Sequence, residues 1–318
     1  MSLTPIQLEA FHRDGYILVP DLFDPDSMTA ALAEMERIFY GKPFAEWLNA
    51  FDGSSGSVRD GFFSSDETGR SQFPTGSDAL DRLIENDAYL DAFADCLGTQ
   101  EMSYCNAHLF MRSGPTDRRH SANLWEGYHI DHGTNCFLPP SREVGKYDYV
   151  NCGVYLHDVE DDAAPMRVIP GSHRQLPDLL PRLIRDGIWQ GIAGITDLRL
   201  APEFAEPVAT TAKAGSALFY SSYLVHAAVP FENKRKQRAY WTLSMARGDN
   251  QAWSKFSNPW HYSDREHWLP FCTQTTPRVR SLFGWPAPGH PFYTPETVAL
   301  LETWWPGLDR GPYEAALK

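Results

Sequence analysis

Two side chains able to bind a metal stand two apart in the stretch Trp125-Glu126-Gly127-Tyr128-His129-Ile130-Asp131-His132-Gly133-Thr134-Asn135. In an extended chain, residues i and i+2 project from the same face, so the His129 imidazole and the Asp131 carboxylate converge on one point. Two histidines and one carboxylate on one face form the set that holds non-haem Fe(II) while leaving positions open for further ligands. His-x-Asp arises often by chance, and most of the eleven histidines here are expected to be structural or superficial. The pair therefore needs a third ligand, and His226 is the candidate. A Gly215-Ser216 turn leads into the apolar strand Ala217-Leu218-Phe219-Tyr220, and a second short strand is expected to end on His226. The alternative for His226 is a half-buried core histidine bonded to a carbonyl.

Three protein ligands on one face leave room for a bidentate 2-oxoacid and for dioxygen. The far carboxylate of 2-oxoglutarate needs a cation, and arginine suits it because the planar guanidinium matches a carboxylate bidentately. Arg238 lies twelve residues after His226, at the start of the strand Ala239-Tyr240-Trp241-Thr242-Leu243-Ser244-Met245. A tight hairpin between the two is expected to bring its guanidinium back toward the metal. Arg235 is the local competitor, nearer the expected hairpin tip. Strand parity adds Asn106 as a polar pocket candidate, with His108 on the same face, and Thr134 lies just past the metal strand. For these, ordinary packing is an equal alternative. His132 points away from His129 by parity.

Strands must position these groups, and strand signals dominate the middle of the chain. They run from Met102 to Arg112, Tyr128 to Thr134, Tyr149 to His157, Met166 to Ile169, Pro207 to Ala212, Ala217 to Tyr220 and Ala239 to Arg247. Gly, Pro and Asp clusters separate them, and only Leu176 to Ile184 has a helical pattern between them. Without alternating crossover helices, a parallel α/β sheet is disfavoured; an antiparallel β sandwich or jelly roll remains. Before it, Thr4-Pro5-Ile6-Gln7 reads as a capping box opening a helix that Gly15 closes, followed by a strand at Tyr16 to Val19. A second helix runs from Asp24-Pro25 to Gly41, and one broken or two short helices from Asp78 to Leu97. Residues 51–78 read as a long loop, a lid or a disordered segment. After Arg247 comes an irregular, aromatic-rich tail with a short helix from Thr294 to Trp305. The expected organisation is a single domain over residues 1–318: a helical brace over 1–100, a jelly-roll core over 101–247, and an extension over 248–318.

Composition narrows the function classes. At 318 residues and net charge -13, with one short basic cluster at Lys234-Arg235-Lys236-Gln237-Arg238, the chain is a poor match for nucleic acid, whose affinity comes mainly from neutralised phosphates. Five cysteines without C-x-x-C spacing give neither a zinc knuckle nor a disulfide framework, which fits a reducing compartment. No apolar window is long enough to cross a bilayer, and no signal peptide opens the sequence, so a soluble cytoplasmic protein is expected.

The segment Ala163-Ala164-Pro165-Met166-Arg167-Val168-Ile169-Pro170-Gly171-Ser172-His173 resembles the N-G-P-L-x-V-x-P-G-S-H signature of the phytanoyl-CoA dioxygenase-like family of Fe(II)/2-oxoglutarate oxygenases. Asp14-Gly15-Tyr16-Ile17-Leu18-Val19-Pro20-Asp21-Leu22-Phe23 is similar to that family's N-terminus, and the strand from Gly215 to His226 to its distal-histidine region. The resemblance covers roughly Leu8 to Arg247. It implies a mainly β fold, the double-stranded β-helix or cupin-like jelly roll, with His129, Asp131 and His226 as iron ligands and an arginine on the following strand for 2-oxoglutarate. It also implies hydroxylation of an unactivated C-H bond in a small organic molecule, with succinate and carbon dioxide as co-products. Halogenases of similar fold replace the carboxylate with Gly or Ala, so Asp131 argues for hydroxylation; desaturation, cyclisation or epimerisation stay open. The family's arginine usually falls eleven residues past the distal histidine, where this chain has Gln237, and its hydroxyl residue two past the histidine is Ala228 here. His173 is expected to be structural, within a tight Pro-Gly-Ser-His bend. The rival readings are a catalytically silent jelly-roll binding protein and a cupin-like metalloenzyme without 2-oxoglutarate; the chain has no His-x-His, which disfavours the second.

Overall fold

The computed structural model describes residues 3–52, 73–116, 127–131, 149–190, 194–248 and 265–317. Its strands are β1 (Tyr16–Val19), β2 (Met102–Ser113), β3 (Tyr149–Tyr155), β4 (Met166–Val168), β5 (Val208–Ala209), β6 (Ala217–Ser221), β7 (His226–Ala228) and β8 (Gln237–Arg247). They form two antiparallel sheets, a large one ordered β1-β6-β3-β8-β2 and a small one ordered β5-β4-β7. Two facing sheets joined by long-range connections make the jelly roll expected from the strand pattern.

Strand β8 shows why the sequence builds this arrangement. Ala239, Trp241, Leu243 and Met245 alternate onto one face and are fully buried against helices, whereas Arg238, Tyr240, Thr242 and Ser244 face the interior between the sheets. The helical layer comprises α1 (Pro5–Asp14), α2 (Pro25–Tyr40), α3 (Phe44–Ala50), α4 (Asp78–Asp81) and α5 (Asp87–Leu97). Helix α1 has the predicted capping box between Thr4 and Gln7 and ends at Gly15 with φ +84°. Asp24 caps α2 by accepting from the Ser27 N–H at 2.9 Å. Phe11, Met28, Met35, Leu90 and Phe93 from this layer join Trp241 and Phe219 in the main core. Burying each such side chain stabilises the fold by about 1.5–3 kcal/mol.

A sixth helix, α6 (Ser172–Arg185), follows the Pro-Gly-Ser-His turn, and four more close the chain: α7 (Arg265–Gln274), α8 (Pro277–Leu282), α9 (Pro295–Trp304) and α10 (Gly311–Ala315). The tail expected to be irregular is therefore largely helical where described. Pro277, Pro295 and Pro312 occupy first turns, where proline favours a helix start rather than breaking it, whereas Pro270 lies inside α7. Phe271, Val279 and Leu282 pack into the main core. Most of the predicted 51–78 loop, residues 53–72, lies outside the described residues.

Two local expectations are corrected. The strand expected over Tyr128 to Thr134 reduces, within the described residues, to two isolated bridges, Tyr128 to Ile195 and His129 to His226, with Asp131 in a turn. No tight hairpin joins His226 to Arg238: β7 pairs with β4 in the small sheet and β8 with β2 and β3 in the large one, so residues 229–236 cross between sheets. His226 opens β7 instead of ending a strand, because a turn closed by the Leu224 N–H to the Ser221 carbonyl (2.8 Å) precedes it.

Candidate metal centre

His129 and His226 meet through their backbones. Each N–H donates to the other's carbonyl at 2.9 Å, which sets the two residues directly opposite with side chains on one side. Their ring centroids lie 4.6 Å apart. Asp131 completes the group: one ligand atom from each of His129, Asp131 and His226 lies within 4.8 Å of the others. The residues nominated from opposite halves of the chain thus share one point.

Each imidazole is held in a fixed tautomer. His129 Nδ1 is 2.9 Å from the Gly127 carbonyl and His226 Nδ1 is 2.9 Å from the Leu224 carbonyl. A carbonyl only accepts, so both Nδ1 atoms carry the proton and both Nε2 atoms present a lone pair. His226 Nε2 is 3.3 Å from Asp131 Oδ1. Withdrawal from water penalises both charges, yet they offset each other: the neighbouring imidazoles hold the Asp131 carboxyl well below the usual carboxylate range. Burial lowers the His226 imidazole, but the Asp131 carboxylate outweighs it and raises its pKa above 6.5. Asn151 Nδ2 donates to Asp131 Oδ2, and Ser244 Oγ donates to Asn151 Oδ1 at 2.5 Å. Two imidazoles and a carboxylate with outer partners fixing each tautomer and orientation are a donor set that fits Fe(II).

The Pro-Gly-Ser-His turn supports this centre from behind. Ser172 Oγ accepts from the Val225 N–H at 2.9 Å, and the Ile169 N–H donates to the Val225 carbonyl at 2.9 Å, fixing the segment that enters His226. His173 is structural as expected: its Nε2 lies 3.3 Å from the His12 carbonyl, its ring packs on Gly15, and burial pushes its pKa down to about 4.

Arg238 points into the jelly roll and is 5% exposed. Its guanidinium lies 4.6 Å from the Tyr240 ring centre, leaning along β8 toward the metal-bearing end, and Nη1 donates to the Ala164 carbonyl. Among the described residues no carboxylate pairs with it, and its Nε has no partner. Gln237, at the position where the family resemblance places the arginine, faces the opposite way and donates to Glu36 of α2. Strand parity therefore excludes Gln237 from the interior and admits Arg238. Arg235 is exposed, as its place near the loop tip predicts. Arg112 sits directly across the β2/β8 ladder from Arg238, also 5% exposed, with Nη2 donating to the Val229 carbonyl at 2.9 Å.

Of the other nominated residues, Asn106 lies on β2 opposite Ser244 in the register, in the row that also contains Asn151 and Tyr220; its side chain is outside what is described. Thr134 and His132 lie outside the described residues. Four contributors escaped the sequence reading: Asn151, Ser244, Arg112 and Gly194. A lone asparagine in the apolar run from Val150 to Val154 was a usable signal for Asn151. Gly194 had none, because its role is a close backbone approach to Tyr128 from a distant segment.

A jelly roll with two imidazoles and a carboxylate on its interior is the framework of a non-haem iron oxygenase. A model of the phytanoyl-CoA dioxygenase (PhyH) family matches residues 11–239, and the chain belongs to that family of Fe(II)- and 2-oxoglutarate-dependent dioxygenases. It is similar to the ectoine dioxygenase of Bordetella bronchiseptica, 26% identical over 236 residues covering 71% of this chain and 70% of that one. In fold it is similar to HygX from Streptomyces hygroscopicus crystallised with nickel and 2-oxoglutarate, with TM-score 0.53 and 17% identity over 80% of this chain and 90% of that one. It is likewise similar to apo EctD from S. alaskensis, with TM-score 0.51 and 18% identity over 83% of this chain and 85% of that one. Among the described residues no helix is long and apolar enough to cross a membrane.

Proposed function

We propose that the protein hydroxylates an unactivated C-H bond of a small organic molecule, with His129 Nε2, His226 Nε2 and one Asp131 oxygen holding Fe(II) and Arg238 anchoring 2-oxoglutarate. The observation that carries this reading is the convergence of the three ligand atoms within 4.8 Å from segments nearly a hundred residues apart. When bound, iron with 2-oxoglutarate and dioxygen supplies the oxidising power, and the keto acid leaves as succinate and carbon dioxide.

The chain's own residues do the rest. The Gly127 and Leu224 carbonyls keep both imidazoles neutral at Nε2 and aimed inward. Asn151 restrains the Asp131 carboxylate, and the presence of that carboxylate supports hydroxylation over halogen transfer. The buried Arg238 guanidinium supplies a positive charge matched to the far carboxylate of the keto acid, and Arg112 beside it adds to that field. Leu218, Phe231, Tyr155 and Tyr240 line this interior and exclude water. The four described cysteines are buried thiols, which supports a reducing, cytoplasmic setting.

The test is anaerobic addition of Fe(II) and 2-oxoglutarate followed by visible absorption. The ternary complex gives a weak charge-transfer band, and admission of air with a library of metabolites then gives substrate-dependent succinate. No band and no succinate above background would leave the fold as a silent binding protein.

A further inference from the structure

Asn151 and Ser244 are a buried polar pair inside a strongly apolar sheet, 4% and 5% exposed, on adjacent central strands and directly opposite in the β3/β8 register. Their strand neighbours Val150, Cys152, Leu243 and Met245 are fully buried on the other face. Burying a hydroxyl and an amide there costs stability unless each finds a partner, and the partners found form a directed chain. Ser244 Oγ donates to Asn151 Oδ1 at 2.5 Å, and Asn151 Nδ2 donates to Asp131 Oδ2. The direction is forced from one end. A carboxylate only accepts, so the amide must turn its NH2 group to Asp131, and its oxygen must then receive the serine hydroxyl.

The chain ends on one oxygen of Asp131. Oδ2 is engaged by the amide, while Oδ1 faces the imidazoles, 3.3 Å from His226 Nε2. We propose that Asn151 and Ser244 act as a positioning relay that confines Asp131 to binding the metal through Oδ1 alone. Three single-atom ligands then leave the remaining positions of an octahedral ion free for a bidentate keto acid and dioxygen; a carboxylate bound through both oxygens takes one of them. In this relay both residues act through Asp131, to which the hydrogen bonds lead. The proposal rests on His129, Asp131 and His226 being the metal ligands.

Co(II) titration of the metal-stripped full-length protein tests it, because affinity and d–d spectrum are read without turnover. Outer-shell partners of ligands typically contribute about 10–100-fold to metal affinity, so Asn151→Leu is expected to weaken Co(II) binding within that range. Its d–d spectrum should also shift as the second carboxylate oxygen, released from the amide, replaces a water on the ion. Ser244→Ala, which removes one hydroxyl, is expected to weaken binding about three- to tenfold, and Ser244→Thr to restore it. In the Asn151→Leu background, Ser244→Ala should change affinity no further, since a relay broken at its middle cannot feel its far end. Additive losses, or unchanged affinity and spectrum in both single variants, overturn the relay. If Asn151→Leu fails to fold, the Ser244→Ala and Ser244→Thr pair decides alone. If the unaltered protein binds no Co(II), the metal-site reading falls and the relay with it, whereas normal binding in every variant sinks the relay only.

Discussion

Gly194→Ala is the sharpest probe of how the fold holds the metal centre. Gly194 has φ +64°, and a Cβ there would lie 2.0 Å from the Tyr128 carbonyl oxygen and 2.8 Å from His129 Cα. A left-handed non-glycine residue costs about 1–2 kcal/mol, and forcing backbone apart for an extra carbon costs about 1–3 kcal/mol more. The obstructing atoms are main chain, so a rotamer change gives no relief. The displaced segment carries His129, and the Tyr128 to Ile195 bridge beside it, with N–H to carbonyl distances of 2.8 Å each way, must open. The expected result is a loss of about 2–5 kcal/mol in chemical denaturation, within the stability of an ordinary domain, together with Co(II) affinity at least about tenfold weaker. Gly187→Ala is the control: its φ is +70°, but nothing lies within 4 Å of the added carbon. It should show only the backbone cost and bind Co(II) normally. If Gly194→Ala behaves like Gly187→Ala in both assays, the close approach does not position His129.

Arg238→Met should raise the KM for 2-oxoglutarate about 100-fold or more, from loss of a charge-assisted bidentate contact, while Co(II) affinity is unchanged; equal KM values would remove Arg238 from the site. Gly153 lies on the interior face between the metal row and Tyr240, and an added Cβ meets only Tyr240 at 3.9 Å, so Gly153→Val should fold with little change in Tm yet impair 2-oxoglutarate binding in a titration. Ala164 is held at φ +55°, so Ala164→Gly should leave stability equal or up to about 1 kcal/mol higher, the relief of strain exceeding the added unfolded-chain entropy. In the metal-free protein, the raised pKa of His226 beside Asp131 stabilises the fold fully below about pH 6.5, and that contribution fades as pH rises through the raised value. Metal needs the same imidazole deprotonated, so the Tm gain on adding Co(II) should grow from pH 6 to about pH 8; a flat or falling gain would contradict the assigned ligand.

The fold and the candidate site were legible in the sequence for different reasons. Period-two alternation in Ala239 to Arg247 and the capping signals at Thr4 and Asp24 are local, and local signals survive into the structure. His129 and Asp131 were nominated by their two-residue spacing and His226 by its place after the Gly215-Ser216 strand, and the structure brings a ligand atom of each within 4.8 Å of the others. What connects β7 to β8 was misread, because a hairpin and a sheet-to-sheet crossover of the same length have the same turn residues. The helices of residues 265–315 were obscured by aromatic side chains and prolines, whose helix-starting role emerges only once the element boundaries are known. Asn151, Ser244 and Gly194 act through contacts between segments far apart, which spacing alone does not encode.

Iron content after anaerobic reconstitution tests the central claim most directly. One ferrous ion per chain is expected in the unaltered protein, and almost none in a folded His129→Ala, Asp131→Ala double variant. Equal iron in the two proteins would contradict the account.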